Sequence, residues 1–444
     1  MNYKDIAERM VSRGRRFGAD EVEVYLQTRR NLSVRVRNED VETVQEAASG
    51  GAGFRVMING RTGFSHCNDL SDRSLDETMR RAIAFAELTT PDEHNVLPSE
   101  RAHQEVEGLY DPEIANVSMD RKIEMALELE SLAMQDERIR HSSGASFGEG
   151  ESEIIVANSK GVLKTYRASS CSIGVGVVAE KGDQRHTGSR SSSRRFFADL
   201  EPLDEIAAEA SQRAYEMLDP RMVRTQRAPV IYDTRVARSL IGGIIGAING
   251  DRVNQSASFL ENSMNERFAS ELLTIIDDAT RARGLGSKPF DGEGVPATKR
   301  TLVENGVLKG FLYNTRAAMR AGAESTGNAS RGGFTSLPGI GTHNIFVEPG
   351  QYTRDEIIAN TRRGLLLTGV TGYGVNPVTG NYSGGATGFW IENGRIVYPV
   401  QGLTIAGSAD SIFRNIDMMA DDVDMNSSFT APTMRIAEMQ IGGE

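Results

Sequence analysis

The chain has 444 residues, which is enough for two or three domains with a large buried core. Apolar residues make up 39% of it and charged residues 25%, as in ordinary globular proteins. The formal net charge of -11 argues against a general nucleic-acid binder and against a protein that binds anionic membranes. We therefore expect neither a nucleic-acid partner nor a membrane partner.

The cysteine content and the N-terminal pattern indicate a cytoplasmic protein. Cys67 and Cys171 are the only cysteines and lie far apart, which predicts reduced, packed thiols instead of a disulfide framework. The chain opens with a charged amphipathic pattern that lacks the apolar core of a signal peptide. No run approaches about 18 apolar residues, so we predict no membrane span.

Residues 1–222 contain two similar series of predicted elements. Helical periodicity opens and closes each series, and period-two alternation between the helices indicates half-exposed antiparallel strands. The helices are predicted at 3–17, 75–88, 119–135 and 203–218, and the strands at 21–27, 32–37, 41–47, 52–58, 61–66, 143–148, 153–157, 162–168, 172–179 and 184–189. Each series therefore consists of a helix, four or five strands and a helix, which is either an internal duplication or a coincidence.

The pattern changes near residue 225. Short strands now alternate with Asn-Gly turns, which favours a β-rich sandwich or barrel. The turns are at 305–306 and 393–394, the strands include 301–303, 311–314, 388–391 and 395–398, and two helices are predicted at 236–248 and 354–363. We predict an α+β protein: an N-terminal domain of helices and antiparallel sheet at 1–222, and a C-terminal β-rich, sandwich or barrel-like domain with a few helices at 223–444.

The helix predicted at 236–248 is unusual in its glycine content. Asp233 or Thr234 is suited to cap it, and Gly242, Gly243 and Gly246 lie inside it. Each glycine costs about 1 kcal/mol relative to alanine in a helix interior, so another backbone or a ligand is expected to approach closely. From residue 239 to 248 no side chain ionises or binds a metal.

The search for catalytic motifs gives no candidate. The six histidines have none of the zinc-binding spacings, and neither a GxSxG elbow nor a GxxxxGK[ST] loop is present. Two glycine turns, at 284–286 and 372–374, lack the strand–turn–helix context of a dinucleotide site. The carboxylates at 277–278 and 421–424 lack EF-hand spacing and are interpreted as solvated or capping groups. We predict no catalytic residue and no metal ligand.

Several segments together resemble the TldD/PmbA family, also called modulator of DNA gyrase. The resemblance is strong after residue 220 and weaker before it. It rests on GSKPFDGEGVPATKRTLVENGVLKGFLYNTRAA (286–318), STGNASRGG (325–333), TGNYSGGATGFWIENGRIVYPVQGLTIAG (379–407) and MRIAEMQIGG (434–443). The family comprises zinc-dependent peptidases and their partner subunits, so the resemblance implies a role in proteolysis.

The resemblance also implies where a zinc site would lie. The TldD branch carries HExxxH on a helix, with two histidines as zinc ligands and the glutamate as general base. In this chain the motif falls on 241–246, where Ile241 and Gly246 occupy the histidine positions and Gly242 the glutamate position. The C-terminal region also lacks the cysteine that completes the zinc site of the active branch. The chain is therefore identified with the PmbA/TldE branch.

That branch implies a non-catalytic subunit without a cofactor of its own. It would pair with a TldD-type zinc peptidase, as a heterodimer or larger assembly, or form a homodimer in isolation. Unfolded peptides would bind by strand addition and be cut at the partner's zinc. The alternative is a self-sufficient hydrolase that acts as a homo-oligomer through other groups.

Two glycine-containing stretches are the candidate peptide-binding residues. The tract 369–390 is rich in glycine, which favours either a tight sheet corner or a peptide laid along a sheet edge. The candidates are Thr326, Gly327, Asn328, Asn381, Tyr382, Ser383 and Gly384. The competing interpretation is that they are conformational glycines and turn caps.

Overall fold

The computed structural model describes residues 2–372 and 374–444. Within those residues the chain forms an N-terminal part on one large sheet, and a C-terminal part on two smaller sheets and a two-stranded ribbon. The predicted α+β class, with helices and antiparallel sheet followed by a β-rich barrel-like part, is confirmed.

A six-stranded antiparallel sheet organises the N-terminal part, in the order β3-β2-β1-β4-β5-β6. Its strands are β1 (Glu21–Arg37), β2 (Asp40–Ile58), β3 (Arg61–Cys67), β4 (Ile139–Asn158), β5 (Leu163–Lys181) and β6 (Gln184–Arg194). The accompanying helices are α1 (Tyr3–Arg16), α2 (Asp72–Glu87), α3 (Met119–Ala133) and α4 (Leu203–Tyr215). In both chain order and sheet order, one helix–three strands–helix unit follows another, joined by the central β1–β4 pair.

The predicted number of four or five strands in each unit is wrong. Neighbouring predicted segments join into single strands of 17 to 20 residues, namely β1, β2, β4 and β5. The residues that interrupt the alternation keep an extended backbone because partners hold them in the ladder. Gly50 and Gly51, for example, pair with Thr28 and Gln27.

The two faces of this sheet have different roles. The helices cover one face, where Phe54 and Phe147 are fully buried in apolar clusters. On the opposite face Tyr25 packs in a cluster with Phe290, which belongs to the C-terminal part. The sheet is thus held between its own helices and the C-terminal part.

The C-terminal part contains a closed barrel. The strand order is β16-β15-β14-β7-β19-β17, and an additional pairing of β16 with β19 closes five of the strands into a ring. These strands are β7 (Gln226–Tyr232), β14 (Arg363–Thr371), β15 (Asn381–Glu392), β16 (Arg395–Ser408), β17 (Ile416–Met419) and β19 (Met434–Gly442).

A second, five-stranded sheet lies beside the barrel in the order β10-β9-β8-β13-β18. Its strands are β8 (Ile275–Asp278), β9 (Lys299–Glu304), β10 (Val307–Leu308), β13 (Ile345–Val347) and β18 (Phe429–Thr430), and the ribbon consists of β11 (Ala329–Ser330) and β12 (Gly339–Ile340). Short helices connect the strands: α5 (Thr234–Ala247), α6 (Gly250–Val253), α7 (Thr315–Arg320), α8 (Arg354–Ala359) and α9 (Ala409–Arg414).

Local sequence signals explain the hairpins. The Asn-Gly pairs at 59–60, 305–306 and 393–394 have positive φ at both residues, as a type I′ turn requires, and they connect β2–β3, β9–β10 and β15–β16. The strand predicted at 311–314 is wrong, because Asn314 caps α7 through a hydrogen bond from the Ala317 amide.

Two further features concern the thiols and the helices. Cys67 and Cys171 are both free, and burial raises the pKa of Cys171 to about 12. Of the helices in residues 2–372 and 374–444, none is both long and apolar enough to cross a membrane.

Candidate functional site

Helix α5 carries the positions that the family resemblance singles out. It follows the buried strand β7 and begins after Asp233, whose carboxylate accepts the Arg235 amide as an N-cap. Its buried face consists of Val236, Ala237, Leu240, Ile241, Gly243, Ile244 and Ala247. The other face is open, because Arg238 is exposed and Gly242 and Gly246 are half-buried.

The three motif positions therefore lie on different faces of α5. The Ile241 side chain is fully buried in the barrel core, whereas Gly242 and Gly246, four residues apart, share the open face. A Cβ added at Gly242 would meet no atom within 4 Å. A Cβ added at Gly243 would lie 2.4 Å from the Val375 Cβ, so only Gly243 is required by close packing.

A zinc ion does not fit these positions. Isoleucine and glycine side chains offer no nitrogen, oxygen or sulfur donor, whereas zinc sites in proteins use Cys, His, Asp or Glu. Across residues 2–372 and 374–444, no group of three or more such residues is placed to hold a metal ion.

The loop between β14 and β15 covers one end of the open face. Pro377 lies 3.1 Å from the position of a Cβ at Gly246, and Gly374 adopts a φ of 69° beside the Ser239 carbonyl. The glycine turn at 372–374 has its central residue, Tyr373, outside the described residues. The loop ends where β15 begins, which places the first group of peptide-binding candidates near α5.

The residues 381–384 form the first part of β15. They pair with 405–408 of β16, and on the other side Val375 bridges to Tyr382. Asn381 and Ser383 are exposed, whereas the Tyr382 ring is buried and burial raises its pKa. A Cβ at Gly384 would lie 2.8 Å from the Thr371 carbonyl oxygen. Packing thus accounts for Gly384, and Asn381 and Ser383 are the side chains available to a ligand.

The residues 326–328 lie on a different sheet, next to the ribbon strand β11. Asn328 is buried and donates to the Asp277 carboxylate and to the Gly341 carbonyl, each at 2.9 Å. Gly327 has a φ of 74°, and a Cβ there would lie 2.4 Å from the Pro296 carbonyl oxygen. The Thr326 hydroxyl accepts the Tyr313 amide at 2.8 Å. Each of these three residues therefore has a role in the fold. The two candidate groups, 326–328 and 381–384, do not share one strand.

A buried carboxylate and imidazole adjoin Asn328. Asp277 is 1% exposed and accepts from the His343 amide at 2.8 Å and from its ring Nδ1 at 3.0 Å. The interpretation of Asp277 as a solvated or capping group is wrong, although Asp278 does cap a turn by accepting the Thr280 amide. His343 is 3% exposed, so a substrate has no direct access to this pair. Nothing in the local sequence signals it, since the two residues are 66 positions apart.

A buried ion network joins the N-terminal sheet to the C-terminal part. Arg55 of β2 donates to Glu23 of β1 at 2.6 Å and lies 2.8 Å from Glu293, and Arg331 also pairs with Glu23. All four side chains are at most 7% exposed. Although burial opposes it, Arg55 and the Thr315 amide lower the pKa of Glu293, so this carboxylate stays charged.

Comparison with known proteins assigns the chain to a family. Three family models match in sequence: PmbA/TldA metallopeptidase domain 1 at residues 22–86, the central domain at 112–218 and the C-terminal domain at 225–443. The chain is also 32% identical to "Metalloprotease PmbA" of Escherichia coli O157:H7, over 96% of this chain and 93% of that protein. The chain belongs to the PmbA/TldD metallopeptidase family.

The curated relatives named PmbA place the chain in the PmbA/TldE branch of the PmbA/TldD family, and solved structures share its fold. It is 32% identical to a Metalloprotease PmbA homolog of Haemophilus influenzae, over 93% of this chain and 90% of that protein, but 25% identical to a TldD homolog of Buchnera aphidicola. The crystal structure of TldE from Thermococcus kodakarensis superposes with a TM-score of 0.90 at 24% identity, over 99% of this chain and all of that one. A modulator of DNA gyrase from Bacteroides thetaiotaomicron gives a TM-score of 0.91 at 26% identity and covers 99% of each chain.

Proposed function

We propose that this PmbA/TldD-family chain is the non-catalytic, peptide-handling subunit of a TldD-type zinc metallopeptidase. The observation that carries the proposal is the residue content of α5. The helix is present, correctly capped and packed on the barrel, but its motif positions are Ile241, Gly242 and Gly246. A chain that keeps the helix and lacks donors for the metal is suited to complete an assembly whose zinc lies in another subunit.

The proposed partner is a family member with HExxxH on the corresponding helix, joined to this chain as a heterodimer or a larger assembly. In this proposal the zinc and the general base belong to the partner, and this chain contributes no cofactor. Its contribution is the surface beside α5, where the open helix face, the loop 374–380 and the start of β15 come together. Peptides that lack stable structure are the substrates, because strand addition requires a free backbone.

The experiment is reconstitution with the HExxxH-bearing relative from the same genome. We expect the isolated chain to contain no zinc by elemental mass spectrometry and to cleave no unfolded polypeptide. The pair is expected to contain zinc and to cleave casein in a chelator-sensitive manner, and a partner with its motif glutamate changed to glutamine serves as the inactive control. Cleavage by the isolated chain that persists in chelator would contradict the proposal and favour the self-sufficient hydrolase.

The same assay tests the peptide contact at β15. Because Gly327 and Gly384 are required by packing, their replacement would disturb the fold whether or not a peptide binds. Exposed Ser383 is the better probe, and Ser383→Arg adds bulk to the exposed surface at the start of β15. We expect slower cleavage by the reconstituted pair, with Arg16→Gln on the distant helix α1 as a control. An unchanged rate with Ser383→Arg would remove β15 from the peptide path.

A further inference from the structure

A cavity of about 450 Å³ lies between the N-terminal sheet and the beginning of α5. Strands β4, β5 and β6 form its floor, α5 and the end of α4 contribute to its walls, and a segment that includes Asp424 lies along its side. The cavity therefore lies one helical turn before Gly242, on the side of α5 from which Arg238 projects.

The floor consists of two cross-strand rows of small residues. Ser146 pairs with Gly174 and Gly174 with Ser191, and the neighbouring row is Gly144, Gly176 and Ser189. Without larger side chains, the backbone and the serine hydroxyls are accessible to a ligand. Such a floor suits an extended polar chain better than an apolar group.

The walls of the cavity carry four arginines. Arg190 lies within 3.1 Å of Glu201, Glu209 and Asp424, and Arg235 pairs with Asp233 at 2.7 Å. Arg213 pairs with Glu209. Arg238 makes no ion pair within residues 2–372 and 374–444. Asp424 is the one carboxylate among the described residues that line the cavity, and Glu201, Glu209 and Asp233 pair with arginines from outside this lining. Arg238 is therefore the arginine whose charge is available to a ligand.

The Arg213 guanidinium is affected by burial and by its charged neighbours. Burial lowers its pKa, and the nearby charges of Arg235 and Arg190 lower it further, although Glu209 opposes them. Its Nε is buried and has no hydrogen-bond acceptor in the described part of the chain. An anion in the cavity would offset the repulsion among these arginines.

We propose that this cavity binds a carboxylate of a peptide, with Arg238 as the principal cation, and that the chain thereby selects acidic segments of its substrates. The carboxylate belongs either to an acidic side chain or to the peptide's C-terminus, since both present the same planar acceptor to a guanidinium. A peptide held at Arg238 would continue over the open face of α5 at Gly242. The inference rests on the proposed peptide-handling function and specifies the class of peptide.

The test is direct binding to the full-length chain without any partner, measured by fluorescence anisotropy. The probes are dye-labelled eight-residue peptides of Gly, Ser and Thr: one amidated with two central glutamates, one with glutamines instead, and one without acidic side chains but with a free C-terminus. We expect at least one carboxylate-bearing peptide to bind more tightly than the glutamine peptide. Which of the two binds identifies the source of the carboxylate.

Two matched variants connect the preference to the cavity. Arg238→Gln is expected to weaken binding of the preferred peptide about tenfold, as for the loss of one charge-assisted hydrogen bond. Arg16→Gln, an equally exposed helical arginine without an ion pair in the described part of the chain, should leave binding unchanged. The inference is overturned if no peptide binds, if acidic and neutral peptides bind equally, or if the two variants behave alike.

This test and the test of the proposed function fail in different ways. Charge-selective binding that depends on Arg238, without partner-dependent cleavage, would support the carboxylate site and contradict the subunit role. Partner-dependent cleavage with no charge preference would support the subunit role and contradict the carboxylate site.

Discussion

At the scale of single residues, the glycines of α5 differ in the reason for their presence. Gly243 is needed because Val375 occupies the space of a side chain, while Gly242 has open space in front of it and no structural reason to be glycine. Because Gly242 has no side chain and open space in front of it, a ligand or a partner can approach the helix at this position.

Alanine at these two positions should have opposite effects on stability. Gly242→Ala is expected to raise the free energy of unfolding by up to about 1 kcal/mol, the helix-propensity difference between the two residues. Gly243→Ala should lower it by about 1–3 kcal/mol, since the new methyl group overlaps Val375. Urea denaturation of the two variants measures both effects, and equal shifts would show that the packing at Gly243 is looser than described.

At the scale of secondary-structure elements, Asp233 stabilises α5 through charge as well as through its hydrogen bond to the helix. It accepts from Arg235 Nε at 2.7 Å and from Arg354 Nε at 3.3 Å. Burial alone would raise its pKa, but these two arginines and the Arg235 amide hold the pKa below the ordinary value of 3.8.

The sign of the pH dependence follows from this lowered pKa. The contribution of Asp233 is fully present above about pH 4, and is lost as the pH falls through the lower folded-state pKa. We expect Asp233→Asn to reduce the free energy of unfolding by about 1–2 kcal/mol at pH 7 and by progressively less below pH 4. Denaturation midpoints between pH 3 and 7 provide the measurement. Asp410→Asn, in the exposed pair with Arg414, is the control, and a deficit independent of pH would contradict the charge argument.

Local elements were the predictable part of this fold. The Asn-Gly turns and the principal helices follow from positive-φ preferences and helical periodicity, both of which depend on residues close in sequence. The α5 cap was predicted for the same reason. The long strands β1 and β2, each of which contains several of the predicted short segments, were not predictable. Partners across the sheet hold the irregular centres of these strands extended.

The candidate site was predictable only in its residue types. The family resemblance implied the positions Ile241, Gly242 and Gly246, but which of them lies in the core depends on how α5 packs on the barrel. The arginine-lined cavity was missed entirely, since its residues come from six separate segments of the chain. No local signal connects Arg238 with Ser191 or Asp424.

At the scale of the whole molecule, the network of Glu23, Arg55, Glu293 and Arg331 links two parts whose sheets do not pair with each other. Buried ion pairs of this kind add little stability relative to an apolar replacement, but breaking one is costly because a charge is left buried alone. We therefore expect the network to favour one relative placement of the two parts.

Arg55→Met should test this link. It leaves Glu23 with Arg331 as its remaining partner and Glu293 without a direct ion pair in the described part of the chain. We therefore expect the free energy of unfolding to fall by about 3–5 kcal/mol. Arg30→Met, which removes an exposed arginine of the same sheet from its pair with Glu46, is the matched control and should have little effect. Equal urea midpoints for the two variants would show that the buried network does not hold the two parts together.

The closed barrel has a consequence for the order in which the chain folds. Strand β19, near the C-terminal end of the chain, lies between β7 and β17 and also pairs with β16, so every barrel closure includes residues 434–442. Its partner β7 is more than 200 positions earlier, and such distant pairings form slowly. During synthesis the N-terminal sheet is complete once residue 194 has emerged from the ribosome, whereas β7 must wait for β19 with one edge unpaired. We therefore expect an interval during synthesis in which the N-terminal strands can already pair, while the unpaired edge of β7 is open to aggregation.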